Sequence, residues 1–212
     1  MKKIGLWLLY GVGAYLAIAV LCQLLPNNKP DFAQVFKPNS HIGNKQQGNE
    51  LIILSYKNGI VRVKGIVTSH AEGPPEHVHL GFDEAFSVES GTLSLIVAGQ
   101  RKVLREGESY TVPRETYHRF FNETDSAAVC VNDAPASFIF MLSQLYGLIK
   151  DDPAIFTSPR FLLQQAAWGN DFDSYLKEGP PPLVIKILRF LLLPIAKISG
   201  YHYSNPKYWP QK

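Results

Sequence analysis

Two histidines two positions apart, His77 and His79, place the strongest constraint on this chain. On a strand, side chains alternate between faces, so residues two apart point the same way. Glu84 follows after a short turn and opens Glu84–Val88, which reads as the next strand. Downstream, the segment Gly107–Asn122 delivers a third histidine, His118. Three imidazoles and one carboxylate suit a borderline divalent metal. A chain that uses all four must bring distant strands together at one point.

The intervals around these residues resemble the two motifs of the cupin superfamily. The first motif runs His-x-His, three or four residues, Glu, six residues, Gly, and His77, His79, Glu84 and Gly91 keep it. The second runs Gly, five residues, Pro-x-Gly, two residues, His, three residues, Asn, and Gly107, Pro113, His118 and Asn122 keep it. Ala71 replaces the usual Gly six residues before the first His, with Gly73 nearer. Glu115 replaces the Gly after Pro113, so a turn needing positive φ is not expected there. The resemblance spans Leu51 to Asp133 and implies a double-stranded β-helix, the cupin or jelly-roll barrel. It implies no reaction, because one fold hosts many functions.

The strand pattern agrees with a mainly β barrel. Leu51–Tyr56 and Ile60–Val67 flank Asn58-Gly59, a strong hairpin signal. Short strands follow at 76–80, 84–88, 92–97, 102–104, 109–112, 117–121 and 127–131, separated by turn residues. The barrel is expected over residues 51–135. Cys22 and Cys130 suggest two buried thiols and no disulfide framework. The net charge is only +3, and Lys and Arg form no long run, so no nucleic-acid partner is expected.

Ile4–Leu25 carries no charge and covers about 33 Å as a helix, enough to cross a bilayer. A cleaved signal peptide has a shorter apolar core and small residues at its cleavage site, unlike Gln23-Leu24-Leu25-Pro26. Leu21 before Cys22 also fits a lipoprotein signal poorly. Residues 1–26 therefore read as an uncleaved transmembrane anchor. Lys2 and Lys3 favour a cytoplasmic N-terminus and an extracytoplasmic cupin domain, while Lys29 and Lys37 weigh the other way. Residues 27–50, rich in Asn, Lys, Gln, Pro and Gly, read as a linker or surface-hugging loop containing a solvated His41.

Residues 136–212 read as a helical extension. Phe138, Met141, Leu142, Leu145 and Leu148 recur at helical spacing up to Pro153. Ser158-Pro159 opens a second helix, which Gly169 ends. Residues 182–199 form an amphipathic helix whose Lys186, Arg189 and Lys197 share one side, suited to a membrane interface. Tyr201, Tyr203, Tyr208 and Trp209 resemble an interfacial aromatic belt. The alternative is that this segment covers the barrel or pairs protomers in a homodimer.

A histidine pair on a strand is often no more than a polar face, and lone histidines are usually structural. Here His77, His79, Glu84 and His118 all fall on the family intervals and are the expected metal ligands, whereas His70 and His202 lie outside the pattern. The donor set suits Fe, Mn, Ni, Cu or Zn without choosing among them. Strand parity puts Phe86 and Val88 beside Glu84, and Phe120 beside His118, as a substrate pocket. Such a pocket favours a small molecule with an apolar body and one or two oxygen donors. Three functions compete. The first is a metal-dependent dioxygenase, an oxidoreductase in which Glu84 doubles as base. The second is an isomerase or lyase, with Tyr110 and Glu84 as the available acid/base groups. The third is a non-catalytic sensor or carrier at the membrane.

Overall fold

The computed structural model describes residues 2–44 and 48–212. Helix α1 (Lys2–Leu24) is followed by a one-turn helix α2 (Phe32–Val35), capped by the Asp31 side chain. Ten strands then follow, β1 (His41–Asn44), β2 (Asn49–Lys57), β3 (Ile60–Val67), β4 (His77–Val78), β5 (Glu84–Ser90), β6 (Thr92–Val97), β7 (Gln100–Arg105), β8 (Ser109–Val112), β9 (His118–Phe121) and β10 (Ala128–Pro135). The C-terminal part adds α3 (Ala136–Asp151), α4 (Pro159–Trp168), a two-residue strand β11 (Tyr175–Leu176) and α5 (Pro182–Ile198). One sheet has the order β1-β2-β3-β10-β5-β8 and the other β11-β4-β9-β6-β7. Both are antiparallel, and together they make the expected double-stranded barrel.

Alternation accounts for the barrel interior. Along β3, Val61, Val63 and Val67 are buried, and along β5 Phe86 and Val88 are. Phe86, Val88, Leu93, Leu95, Val112 and Cys130 form the barrel core. Burial pushes the Cys130 thiol up to about 11, so it is an inert apolar filler. Cys22 is only partly buried, unlike the expectation, and no disulfide forms. The Asn58-Gly59 hairpin adopts positive φ at both residues (52° and 79°), as a type I′ turn requires.

The segment expected to be a linker is built into the fold. Val35, Phe36 and Ile42 are buried, and β1 pairs with β2 from His41↔Ile52 to Asn44↔Asn49. Backbone hydrogen bonds between His41 and Gln211 pin the C-terminus to the same edge. His41 itself pairs with Glu50 at 2.8 Å. The helical extension shares this core, because Phe138, Ile139, Phe140 and Met141 of α3 pack with Ile53, Val61 and Val63 of the barrel. Apolar residues from both sources are needed to close it.

Two further expectations need correcting. Arg189 lies inside, 4% exposed, rather than on a basic interfacial stripe. Its guanidinium donates to the carbonyls of Gly169 and Phe172, the Gln165 Oε1 and the Tyr175 hydroxyl, and so ties α5 to α4 and β11. The C-terminal aromatics pack on their own chain. Tyr203 is buried and stacks on Phe140 at 5.7 Å, and the Trp209 indole donates to Ser204. Tyr208 sits against Gly147, where a Cβ would come within 2.3 Å of the ring.

Helix α1 is long and apolar enough over Trp7–Leu24 to cross a membrane, and nearly all of it is exposed. Its withdrawn residues, Tyr15, Ala19 and Cys22, recur at helical spacing. That side meets α5, where the Tyr15 hydroxyl donates to the Leu191 carbonyl.

Candidate metal centre

Strands β4 and β9 pair antiparallel with His77 opposite His118, so two of the imidazoles are cross-strand neighbours. His79 follows on the same face, and Glu84 enters from the start of β5. Ring centroids are 4.9 Å apart for His77–His79 and 4.7 Å for His77–His118. All three imidazoles are buried, at 7%, 2% and 2% exposure in chain order. The adjacent Asp83 points away, accepting from the Arg114 backbone N–H. The pleat thus assigns Glu84 to the interior and Asp83 to the surface.

Each imidazole has its Nδ1 committed to a backbone carbonyl. His77 donates to Pro75 at 2.8 Å, His118 to Thr116 at 2.9 Å, and His79 to Asp173. A carbonyl only accepts, so these bonds orient each Nε2 toward the centre. Such carbonyl partners are characteristic of metal-binding histidines. His118 Nε2 meets Glu84 Oε2 at 2.7 Å, while His79 Nε2 is buried without a hydrogen-bond partner and lies 3.4 Å from the same oxygen. The four ligand atoms lie within 4.8 Å of one another. A divalent ion among these donors would take the place of the His118–Glu84 hydrogen bond and would satisfy the orphaned His79 nitrogen. The residues present fit a divalent metal.

The electrostatics follow from burial and this clustering. Burial, followed by the neighbouring His79, lowers the His77 pKa to about 4, partly opposed by Glu84. Burial alone would raise the Glu84 carboxyl, but the His118 hydrogen bond and the proximity of the His79 and His118 imidazoles outweigh it and hold the group well below the usual carboxylate range. Burial would lower His118, but the Glu84 hydrogen bond and charge lift it above the ordinary imidazole value.

Loop geometry sets the approach to these strands. Gly73 has φ +67°, and a Cβ there would lie 1.9 Å from the Phe120 carbonyl, so the chain entering β4 needs glycine at this position. Glu115 takes φ +63°, against expectation, and its N–H donates 2.7 Å to the His79 carbonyl. The turn delivering His118 therefore has its positive-φ residue without a glycine. Asn122 is buried and its amide donates to the Val67, Thr68 and Ser126 carbonyls, clasping the loop after β9.

Residues 66–132 match the family described as cupin domain. This chain carries a cupin domain. Among solved structures, the cupin is similar to a sugar phosphate isomerase of the cupin superfamily from Silicibacter pomeroyi, at 21% identity over 42% of this chain and 61% of that one, with TM-score 0.39. It is also similar to KdgF from Halomonas sp., at 22% identity over 42% and 79%, TM-score 0.36. A third is the polyketide cyclase RemF from Streptomyces resistomycificus, at 18% identity over 51% and 79%, TM-score 0.40. The cupin thus spans about three fifths of the first of these proteins. No curated protein matches it.

This cluster borders a cavity of about 780 Å³ between the barrel and the C-terminal helices. His77, Glu84, Phe86 and Phe120 line it. Val88 is buried in the barrel core instead, and Tyr110 lies on β8 opposite Phe86, beneath the Lys102 ammonium. His70 is exposed and pairs with Asp125 at 2.9 Å, and the His202 carbonyl accepts from Gln164.

Several site residues come from outside the motifs. Phe82 stacks on His79 at 4.5 Å, and Phe138 of α3 meets the same ring edge-on at 4.9 Å. Asp173 binds His79 through its carbonyl, and its carboxylate accepts the Leu80 and Gly81 backbone N–H groups at 3.0 and 2.6 Å. Tyr146 reaches in from α3, where burial and then the Glu84 charge raise its hydroxyl well above the ordinary phenol value. Only Phe82 had a sequence signal, its place between the first-motif ligands. The rest depend on how the extension folds back.

Proposed function

We propose that this cupin is a membrane-anchored, metal-dependent oxygenase acting on a small, partly apolar, oxygen-bearing substrate. The observation carrying the reading is a three-histidine, one-carboxylate set opening on a large, mainly apolar cavity. Among the described residues, no Lys or Arg lines that cavity, which argues against a phosphorylated substrate. His77, His79, Glu84 and His118 would hold the ion. A bound first-row redox metal supplies the electron transfer to O2 that oxidation of a carbon skeleton requires. Phe82, Phe86, Phe120 and Phe138 exclude water and seat the apolar body. The Tyr146 hydroxyl keeps its proton at neutral pH and donates it as a hydrogen bond to a substrate oxygen. Glu84, held ionised, accepts a hydrogen bond from an enol or phenol hydroxyl. Helix α1 anchors the domain, with the charged N-terminus on the cytoplasmic side.

Tyr146 beside Glu84 also favours a second reading, proton transfer in an isomerase or lyase, because it supplies the acid/base pair that chemistry needs. Elemental analysis of protein purified without added metal, with oxygen-electrode assays on catechol and enol substrates, separates the two. Stoichiometric iron, manganese, nickel or copper with O2 uptake supports the oxygenase. Zinc without O2 uptake turns the assignment to proton transfer. Recovery of a bound, unaltered ligand without turnover would make the protein a carrier.

A further inference from the structure

The cavity is larger than one enol or catechol ring needs, and its polarity is uneven. Its volume of about 780 Å³ lies toward the upper part of the range for ligand pockets, roughly 300–1,000 Å³. Asn49, Glu84 and Tyr146 supply polar groups at the four-residue cluster, and Thr157, Ser158 and Gln165 supply others on the α4 side. Asn49 is 6% exposed, and among the described residues its amide reaches no partner at full hydrogen-bond geometry, the Tyr146 hydroxyl being its one polar neighbour within interaction range. The Tyr146 hydroxyl lies near both Asn49 and Glu84. A buried amide short of partners is destabilising, so a ligand oxygen that completes it is favoured there. Ile139, Leu142 and Leu145 of α3 and Ile185 and Leu188 of α5 line the cavity as well.

The far wall and the rim are apolar on the outside as well. Phe156 and Leu176, both cavity-lining, are each 45% exposed. The helix that supplies Ile185 and Leu188 exposes Leu183 (68%), Ile187 (50%) and Ile198 (86%) on its other side. That helix packs on α1, the candidate span, through the Tyr15–Leu191 bond. Cavity wall, apolar outer surface and anchor are therefore continuous.

We infer that the substrate is a single-chain amphiphile taken from the lipid bilayer, its oxygen-bearing head held by Asn49 and Tyr146 beside Glu84 and its hydrocarbon tail lying between α3 and α5. The inference rests on the cavity being the substrate site of the metal centre, and it names the substrate class. Helix α5 stands where the tail passes from lipid into protein.

The test uses the full chain in phosphatidylcholine nanodiscs containing a trace of a sixteen-carbon fatty acid with a mid-chain diazirine. Illumination and peptide mass spectrometry map where the tail lies. The expected result is label on α3 at Ile139, Leu142 or Leu145 as well as on α1. Leu142→Trp, which fills the tail path, lowers the α3 label at least ten-fold and leaves the α1 label unchanged. Asn49→Leu lowers the α3 label several-fold without lowering the unfolding temperature. Label confined to α1 and the outer side of α5 in the wild-type protein overturns the inference, whatever the variants do. So does equal α3 labelling by a water-soluble four-carbon diazirine acid, which points to a soluble substrate. His77→Ala separates the two readings, since it removes the metal but leaves the α3 label. Stoichiometric metal without α3 label sinks the lipid substrate alone, and α3 label without metal sinks the oxygenase alone.

Discussion

Asp173→Ala is the most informative single change, because it asks whether the C-terminal extension builds the metal centre or merely covers it. The carboxylate accepts the Leu80 N–H at 3.0 Å and the Gly81 N–H at 2.6 Å, holding the two residues that follow His79. Gly81 allows this approach, since a Cβ there would lie 3.0 Å from Asp173 Oδ2. Charge-assisted bonds are worth about 1.5–3 kcal/mol each when buried. Gly81 is exposed, so water replaces part of the loss, and about 2 kcal/mol in total is expected. For a chain of this size that lowers the unfolding temperature by about 4–8 °C. The alanine keeps the carbonyl that receives the His79 Nδ1–H, but that carbonyl is no longer clamped to the loop carrying His79. Loss of an outer hydrogen-bond partner typically weakens metal affinity by about 10–100-fold. Competitive titration against a chelator, alongside thermal unfolding with and without metal, measures both effects. Unchanged metal affinity together with the expected loss of stability would show the clasp to be structural only and refute the reasoning.

The other predictions are narrower. His77→Ala and Glu84→Ala each abolish stoichiometric metal by elemental analysis, while His41→Ala and His70→Ala retain it, because their partners are the surface carboxylates Glu50 and Asp125. Metal affinity falls as pH drops, and the fall begins above pH 6.5. Glu84 raises His118 above that value, and a protonated Nε2 cannot bind metal. His77, lowered to about 4, stays neutral throughout and adds nothing to the fall, while the His118 proton that metal displaces makes affinity change at least about ten-fold per pH unit well below the His118 value. Chelator titrations from pH 8 to 5.5 check this, and a flat profile contradicts it. Arg189→Ala strands four acceptors and costs about 2–4 kcal/mol in denaturant unfolding, much more than Lys186→Ala on the exposed side of the same helix. Glu115→Gly relieves a left-handed backbone and raises stability by up to about 1 kcal/mol, because the relief exceeds the extra entropy of glycine in the unfolded chain.

The sequence by itself determined the barrel and the four residues that cluster at its candidate metal centre. Strand alternation and motif spacing are local quantities, and they put His77, His79, Glu84 and His118 on inward faces whatever the rest of the chain does. They also made Asp83 the outward residue, set the Asn58-Gly59 hairpin, and marked the Ser158 and Gly169 helix ends. Spacing carried no information about what lies across the site. Asp173, Phe138, Tyr146 and Asn49 reach it from segments remote from the motifs, and their roles arise only when α3 and the loop before β11 fold onto the barrel. Arg189 shows the same limit. A helical wheel places it on a polar side with Lys186 and Lys197, but only the packed structure offers carbonyls in its path, and hydrogen bonding then favours burial over solvation. Periodicity states which residues share a face. Which partner that face meets is decided by long-range packing, and here that packing sets the composition of the cavity beside the metal centre.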